Sequence, residues 1–125
     1  KLNVTGFCWG GKTTWLYAAH NPNIKSAIAW YGPLVGNPAD KMEFPVNIAA
    51  TLKVPVLGLY GGKDARITQE HVEQMQNALD KGKSGSKIIV YPEVEHGFFA
   101  DYRPSYNKMA ADEGIREMLN WIKNH

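Results

Sequence analysis

Apolar residues fall along this chain in short dense runs, separated by glycine and proline and by longer amphipathic stretches. Leu2–Phe7 alternates with Val4 and is stopped by the Gly10–Gly11 pair, and Ser26–Tyr31 is apolar up to Gly32–Pro33. Val54–Tyr60 is almost continuously apolar and closes at Gly61–Gly62, and Lys87–Tyr91 ends at Pro92. Runs of this length, without clean polar alternation, predict strands buried on both faces of a parallel sheet.

Between them the period changes. Residues 11–19 put Trp15, Leu16, Ala18 and Ala19 on inward positions and stop at Asn21–Pro22. Residues 68–81 begin with Thr68 as N-cap and carry Val72, Met75 and Leu79 at helical spacing. Residues 105–123 form the longest predicted helix, striped by Met109, Ile115, Met118, Leu119 and Ile122, with Gly114 as a local weak point. Residues 32–53, broken by Pro33, Gly36, Pro38 and Pro45, are irregular, with a short helix near Val46–Leu52. Strands joined by crossovers imply right-handed parallel units. The fold class is therefore α/β: a parallel sheet of about four strands with flanking helices, in one domain over residues 1–125. There is no internal repeat or low-complexity segment.

Composition narrows the function classes. The 125 residues are 44% hydrophobic and 21% charged, ordinary for a globular domain. The net charge of +2 is spread without a basic run, which argues against nucleic acid and anionic membrane surfaces as partners. No apolar run approaches the roughly 20 residues of a membrane span, and the N-terminus lacks a signal-peptide layout. A single cysteine cannot form an internal disulfide, which fits a reducing cytoplasm. The chain opens at Lys1 directly into an apolar strand, from which a missing upstream segment is expected.

The chemistry gathers at three places. Cys8 stands at the apex of Gly6-Phe7-Cys8-Trp9-Gly10-Gly11, where a strand turns tightly into a helix. Such a turn strains the nucleophile's backbone, and nearby glycines remove side chains that would clash. The helix N-terminus favours thiolate, and the backbone N–H of Trp9 points at a developing oxyanion. A lone cysteine is by default a small buried hydrophobe; the strand-G-x-C-x-G-G-helix setting shifts the reading to nucleophile. Asp64 follows the third strand, where an aspartate can hold an imidazole in one tautomer, although a turn aspartate is the plain alternative. His96 follows the fourth strand, and Gly97 beside it lets the backbone turn. His20, His71 and His125 read as ordinary surface histidines. The order Cys8, Asp64, His96, each beyond a different strand, is that of α/β-hydrolase triads. Zinc-ligand spacing is absent, and the glycine spacing is not that of a phosphate loop. Trp9, Trp30, Tyr31, Tyr60 and Phe98 gather near strand ends as candidate pocket aromatics, Trp30 with core packing as its plainer job.

On Gly6–Gly11, Tyr31-Gly32, Leu59-Tyr60-Gly61-Gly62-Lys63-Asp64, Glu95-His96-Gly97-Phe98 and Asp101-Tyr102-Arg103-Pro104-Ser105-Tyr106, the sequence resembles the dienelactone hydrolase (carboxymethylenebutenolidase) family of the α/β-hydrolase superfamily. The resemblance covers essentially the whole chain and implies the C-terminal half of that fold. It implies hydrolysis of an enol-lactone or activated ester by Cys8, with His96 as acid and base, Asp64 orienting it, Trp9 as oxyanion donor, and no metal or organic cofactor. Tyr31, Phe98 and Arg103 become substrate-binding candidates, Arg103 because dienelactone-binding members carry an arginine where this chain has Ala100. Members are about twice this length, and their first half supplies early strands, a carboxylate near the cysteine, an arginine and a second oxyanion N–H.

The missing half also bears on partners. Without its neighbours the elbow strand is a sheet edge, open to a second copy in a homodimer or to the missing N-terminal half. The competing functions are a general carboxylesterase or thioesterase of the same fold, and a catalytically silent module that binds a partner through that edge.

Overall fold

Each apolar run becomes a strand, and the strands pair in chain order. The computed structural model describes residues 2–37, 39 and 41–125; the chain start at Lys1 and the breaker Pro38 lie outside them. Strands β1 (Asn3–Phe7), β2 (Ser26–Trp30), β3 (Val56–Gly61) and β4 (Lys87–Tyr91) form one parallel sheet in the order β1-β2-β3-β4. Helix α1 (Trp9–His20) joins β1 to β2. The short α2 (Pro45–Ile48) with a 3-10 turn (Ala49–Thr51) precedes β3, α3 (Gln69–Asp80) joins β3 to β4, and α4 (Lys108–Asn124) closes the chain.

Burial on both faces holds for the two central strands only. Every residue of β2 and β3 is buried, whereas β1 and β4, at the sheet margins, are partly exposed. Trp30 and Leu59 are cross-strand partners on the face that receives α4, and the neighbouring Gly58 faces Trp15 of α1, so these helices cover opposite faces. On the α1 face Trp15 Nε1 donates to Tyr60 Oη at 3.0 Å, and that hydroxyl donates to Gly32 O at 2.8 Å. This satisfies a buried indole and phenol together, as burial of such groups requires.

The helices depart from the sequence reading in instructive ways. Helix α1 starts at Trp9, immediately after Cys8, and Ala19 is exposed. Thr68 does cap α3, accepting from the His71 N–H at 3.3 Å, and Val72, Met75 and Leu79 are buried. Helix α4 starts at Lys108, capped by Asn107, which accepts from Ala110 N–H at 3.0 Å. Its buried face is Ala110, Ala111 and Gly114, flanked by Ile115, Met118 and Ile122, whereas Met109 and Leu119 are exposed. Gly114 marks the crossing point rather than a weakness. A Cβ there would lie 2.5 Å from the Trp30 ring, so only glycine lets the helix seat on the sheet.

Candidate active site

The site is built from the backbone of β1 outward. At the end of that strand Cys8 takes φ 60° and ψ −120°, a conformation rare for a residue with a side chain. It is held there by three hydrogen bonds: Cys8 N–H donates to Trp30 O at 3.0 Å, and Cys8 O accepts from Gly11 N–H at 2.9 Å and Lys12 N–H at 3.2 Å. The turn is so tight that a Cβ on Gly6 would lie 2.3 Å from Gly10 O. Gly10 itself faces open space, so the steric demand falls on Gly6 and Gly11, not on every glycine of the motif.

The acid and histidine loops are stitched to each other. Gly62 N–H donates to Tyr91 O and Lys63 N–H to Val94 O, both at 2.8 Å. Asp64 Oδ1 accepts from Arg66 N–H at 2.8 Å and Ile67 N–H at 3.0 Å, leaving Oδ2 for His96 Nδ1 at 2.6 Å. His96 Nε2 lies 3.0 Å from Cys8 Sγ. The three residues singled out in the sequence thus meet in one hydrogen-bonded line, with the Asp64 side chain fully enclosed and that of His96 11% exposed. The Tyr31 ring meets the imidazole edge-on at 5.2 Å.

Electrostatics follow from this contact. Burial pushes the Cys8 thiol up, but the hydrogen bond and charge of His96, the Trp9 N–H and the Arg103 guanidinium outweigh it and hold the pKa below 9.0. His96 is raised above 6.5, chiefly by its hydrogen bond to Asp64 and further by Cys8. The two shifts agree in sign, since each partner stabilises the other's ion. Burial pushes Tyr31 up to about 12, keeping its phenol neutral.

Beside the sulfur opens a cavity of about 590 Å³ between the end of β1, loop 99–106 and the first turns of α4. Phe7, Tyr31, Phe99, Tyr102 and Tyr106 line it together with Arg103, Asp101 and Asp112. Of the expected substrate contacts, Tyr31 and Arg103 are there. Phe98 is not: it has no exposed surface and packs against Trp30, Tyr31 and Tyr91 in the core, and the next residue, Phe99, takes the wall instead. Phe7, stacked on Phe99 at 5.0 Å, escapes a reading of the sequence because a strand-terminal phenylalanine carries no signal beyond hydrophobicity. Of the other aromatics, Trp30 and Tyr60 are fully buried, while Trp9 is largely exposed at the mouth of the elbow. Among the described residues no group of histidine, cysteine and carboxylate side chains is arranged to hold a metal. Among the same residues no helix is long and apolar enough to cross a membrane.

The dienelactone hydrolase family model matches residues 1–125. The chain belongs to the dienelactone hydrolase family. It is 54% identical over 126 aligned residues to a provisionally named carboxymethylenebutenolidase of Yersinia pestis, covering all of this chain and 47% of that protein. A corresponding Escherichia coli K12 protein is 52% identical, with 46% of it covered. In structure the chain resembles a provisionally named dienelactone hydrolase of Klebsiella pneumoniae, with a TM-score of 0.94, 53% identity, and 99% of this chain and 52% of that one covered. A metagenomic dienelactone-hydrolase-like phosphotriesterase, 19% identical with a TM-score of 0.81, shares the fold. The chain spans about half the length of the relatives it matches.

Proposed function

We propose that this family member hydrolyses enol-lactones or activated esters through Cys8, His96 and Asp64. One observation carries the reading: a thiol on a strained strand-to-helix turn, in line with an imidazole and an enclosed carboxylate, at the edge of a cavity. The thiolate attacks the carbonyl carbon, and the oxyanion that forms faces the Trp9 N–H. The His96 imidazolium gives its proton to the departing oxygen as the C–O bond breaks, leaving an acyl thioester on Cys8. Neutral His96 then takes a proton from water, which attacks the thioester, and the proton returns to sulfur or stays on the imidazole as the acid leaves. Asp64 keeps Nδ1 protonated and steadies the cation throughout. Arg103 on the cavity wall suits a substrate carboxylate.

The test is mass spectrometry of the chain after exposure to an activated aryl ester or an enol-lactone. An acyl mass on the Cys8 peptide, absent from Cys8→Ala, is the expected result. No adduct on a natively folded chain rejects the nucleophile. Turnover by this chain alone is expected to be slow, since loss of one oxyanion donor costs about a hundredfold or more. Ala100, where dienelactone-binding members have an arginine, favours the second reading, a general carboxylesterase or thioesterase. Equal rates on carboxylate-bearing and neutral esters would select it.

Among the described residues the sheet ends at β1, with Leu2 and Phe7 exposed. We propose that this edge is completed by a further strand, in the isolated chain from a second copy. Light scattering that finds a stable monomer in dilute buffer would overturn this.

A further inference from the structure

One turn beyond the nucleophile sits a lysine that the proposed chemistry does not use. Lys12 is 5% exposed, an uncommon state for an ammonium. Its Nζ lies 4.6 Å from the centre of the Trp9 ring and 4.2 Å from that of Phe44, and it donates to Met42 Sδ at 3.0 Å. Its backbone N–H donates to Cys8 O at 3.2 Å. The residue therefore grips the elbow twice, at the backbone of Cys8 and at the side chain of Trp9. Through Met42 and Phe44 it also ties the elbow to the segment after β2.

Trp9 needs such a grip. It is the first residue of α1, follows a strained residue, and 59% of its surface is exposed. The peptide between Cys8 and Trp9 is pinned at its oxygen by the Gly11 and Lys12 N–H groups; a loose ring would pull on its nitrogen end, which carries the N–H facing the sulfur. A donor acts on an oxyanion only if it is held in place beforehand. A cation under an aromatic face restrains the ring without filling the site above it.

We propose that Lys12 is a positioning residue for the Trp9 N–H, acting through its contact with the Trp9 ring. The proposal rests on the hydrolase reading for its consequence, since the N–H matters most when an oxyanion forms. It is distinct from a plain packing role, in which Lys12 only fastens loop 33–44 to α1.

The experiment is a double-mutant cycle on the rate of Cys8 acylation by p-nitrophenyl acetate, with melting temperatures recorded alongside. Misplacement of a catalytic contact by about an ångström costs up to roughly a hundredfold. Lys12→Met is expected to slow acylation about tenfold, and Lys12→Arg, which keeps a cation over the ring, to restore it to within about threefold of wild type. Trp9→Ala is expected to match Lys12→Met, and the pair together to be no slower than either alone. Losses that multiply, or a Lys12→Met chain that melts earlier but acylates at the wild-type rate, overturn the proposal. If Lys12→Met does not fold, Lys12→Arg against Trp9→Ala still decides it: a tenfold loss in both overturns it, a loss in Trp9→Ala alone supports it. Should the wild-type chain give no acyl adduct, the hydrolase reading fails by itself. The same cycle is then read from iodoacetamide alkylation of Cys8, because the Trp9 N–H already faces the sulfur in the free chain. Coupled losses there sustain the positioning role, and independent ones remove it.

Discussion

The elbow at residues 6–12 and the segment 96–107 both border the Cys8 sulfur, but they are held by opposite means. The elbow is fixed by main-chain crowding: a positive φ at Cys8, three hydrogen bonds to that one peptide pair, and no room for a Cβ on Gly6. The other segment is a loop of successive turns, in which Ala100 N–H donates to Gly97 O, Arg103 N–H to Ala100 O and Tyr106 N–H to Arg103 O, closed where Asn107 N–H donates to Phe98 O at 3.0 Å. Most of its side chains beyond Phe99 are exposed or line the cavity. A nucleophile whose place is a backbone property admits almost no sequence variation. A wall whose shape is a side-chain property admits a great deal, so on the proposed reading chemistry belongs to the first region and selectivity to the second.

His96 belongs to the second region by sequence, yet Asp64 gives it elbow-like fixity. Asp64→Asn should therefore cost most of the acylation rate, on the order of a thousandfold, because the imidazole loses both its tautomer and the support of its cation. The same variant should move the pH dependence of Cys8 alkylation. His96 is raised and Cys8 lowered in the folded chain, because each stabilises the other's ion. The thiolate is lost as pH falls through the thiol's lowered pKa, and the imidazolium is lost as pH rises through its own raised one. In wild type the alkylation rate should therefore climb at a pH clearly below the 9.0 of an ordinary cysteine. In the Asp64→Asn variant the imidazolium is less stable and the climb should shift upward. An unmoved profile would mean that the carboxylate only braces the loop.

The elbow itself is tested by Gly6→Ala. The added methyl would lie 2.3 Å from Gly10 O and 2.7 Å from Thr14 Oγ1, and the first of these is main chain that cannot swing away. Overpacking of this kind costs about 3 kcal/mol, and the displaced turn should lower acylation roughly a hundredfold. The control is Gly10→Ala. Its Cβ meets nothing within 4 Å, so the turn geometry should survive with only the ordinary small gain or loss of a helix-start substitution. Equal damage from both would erase the distinction between a crowded elbow and an ordinary turn.

Much of this is legible in the sequence because the elbow is local. Strand, glycines, cysteine and helix stand within six residues, and their spacing states the turn. Asp64 and His96 are legible for a related reason: each comes directly after a strand, and parallel strands deliver their C-terminal loops to one edge of the sheet. The features that escape are set by packing across distance. Nothing in Phe98-Phe99 says which ring turns inward; Trp30, Tyr31 and Tyr91 decide it. Nothing in the α4 stripe says that Ala110, Ala111 and Gly114 face the sheet; the bulk of Trp30, which demands small residues opposite it, decides that. Nothing in the sequence around Lys12 says that Trp9, Met42 and Phe44 close round its ammonium.

The mildest prediction probes the wall. Arg103 lines the cavity with its guanidinium folded over Gly97: a Cβ on that glycine, which has φ 76°, would stand 3.0 Å from Arg103 Nη1. The same cation contributes to lowering the Cys8 pKa. Two roles are therefore open to it, and they separate kinetically. As a carboxylate clamp, Arg103→Met should raise KM about tenfold for carboxylate-bearing esters, the worth of one charge-assisted hydrogen bond, and leave neutral esters unchanged. As a field acting on the thiolate, it should slow both classes equally and shift the alkylation profile upward. Arg103 is an exposed residue, and water screens its reach to the sulfur but not its direct contact with a bound carboxylate, so the first outcome is expected. A neutral ester slowed as much as a charged one would assign Arg103 to the nucleophile, and the loop would then serve chemistry as well as selectivity.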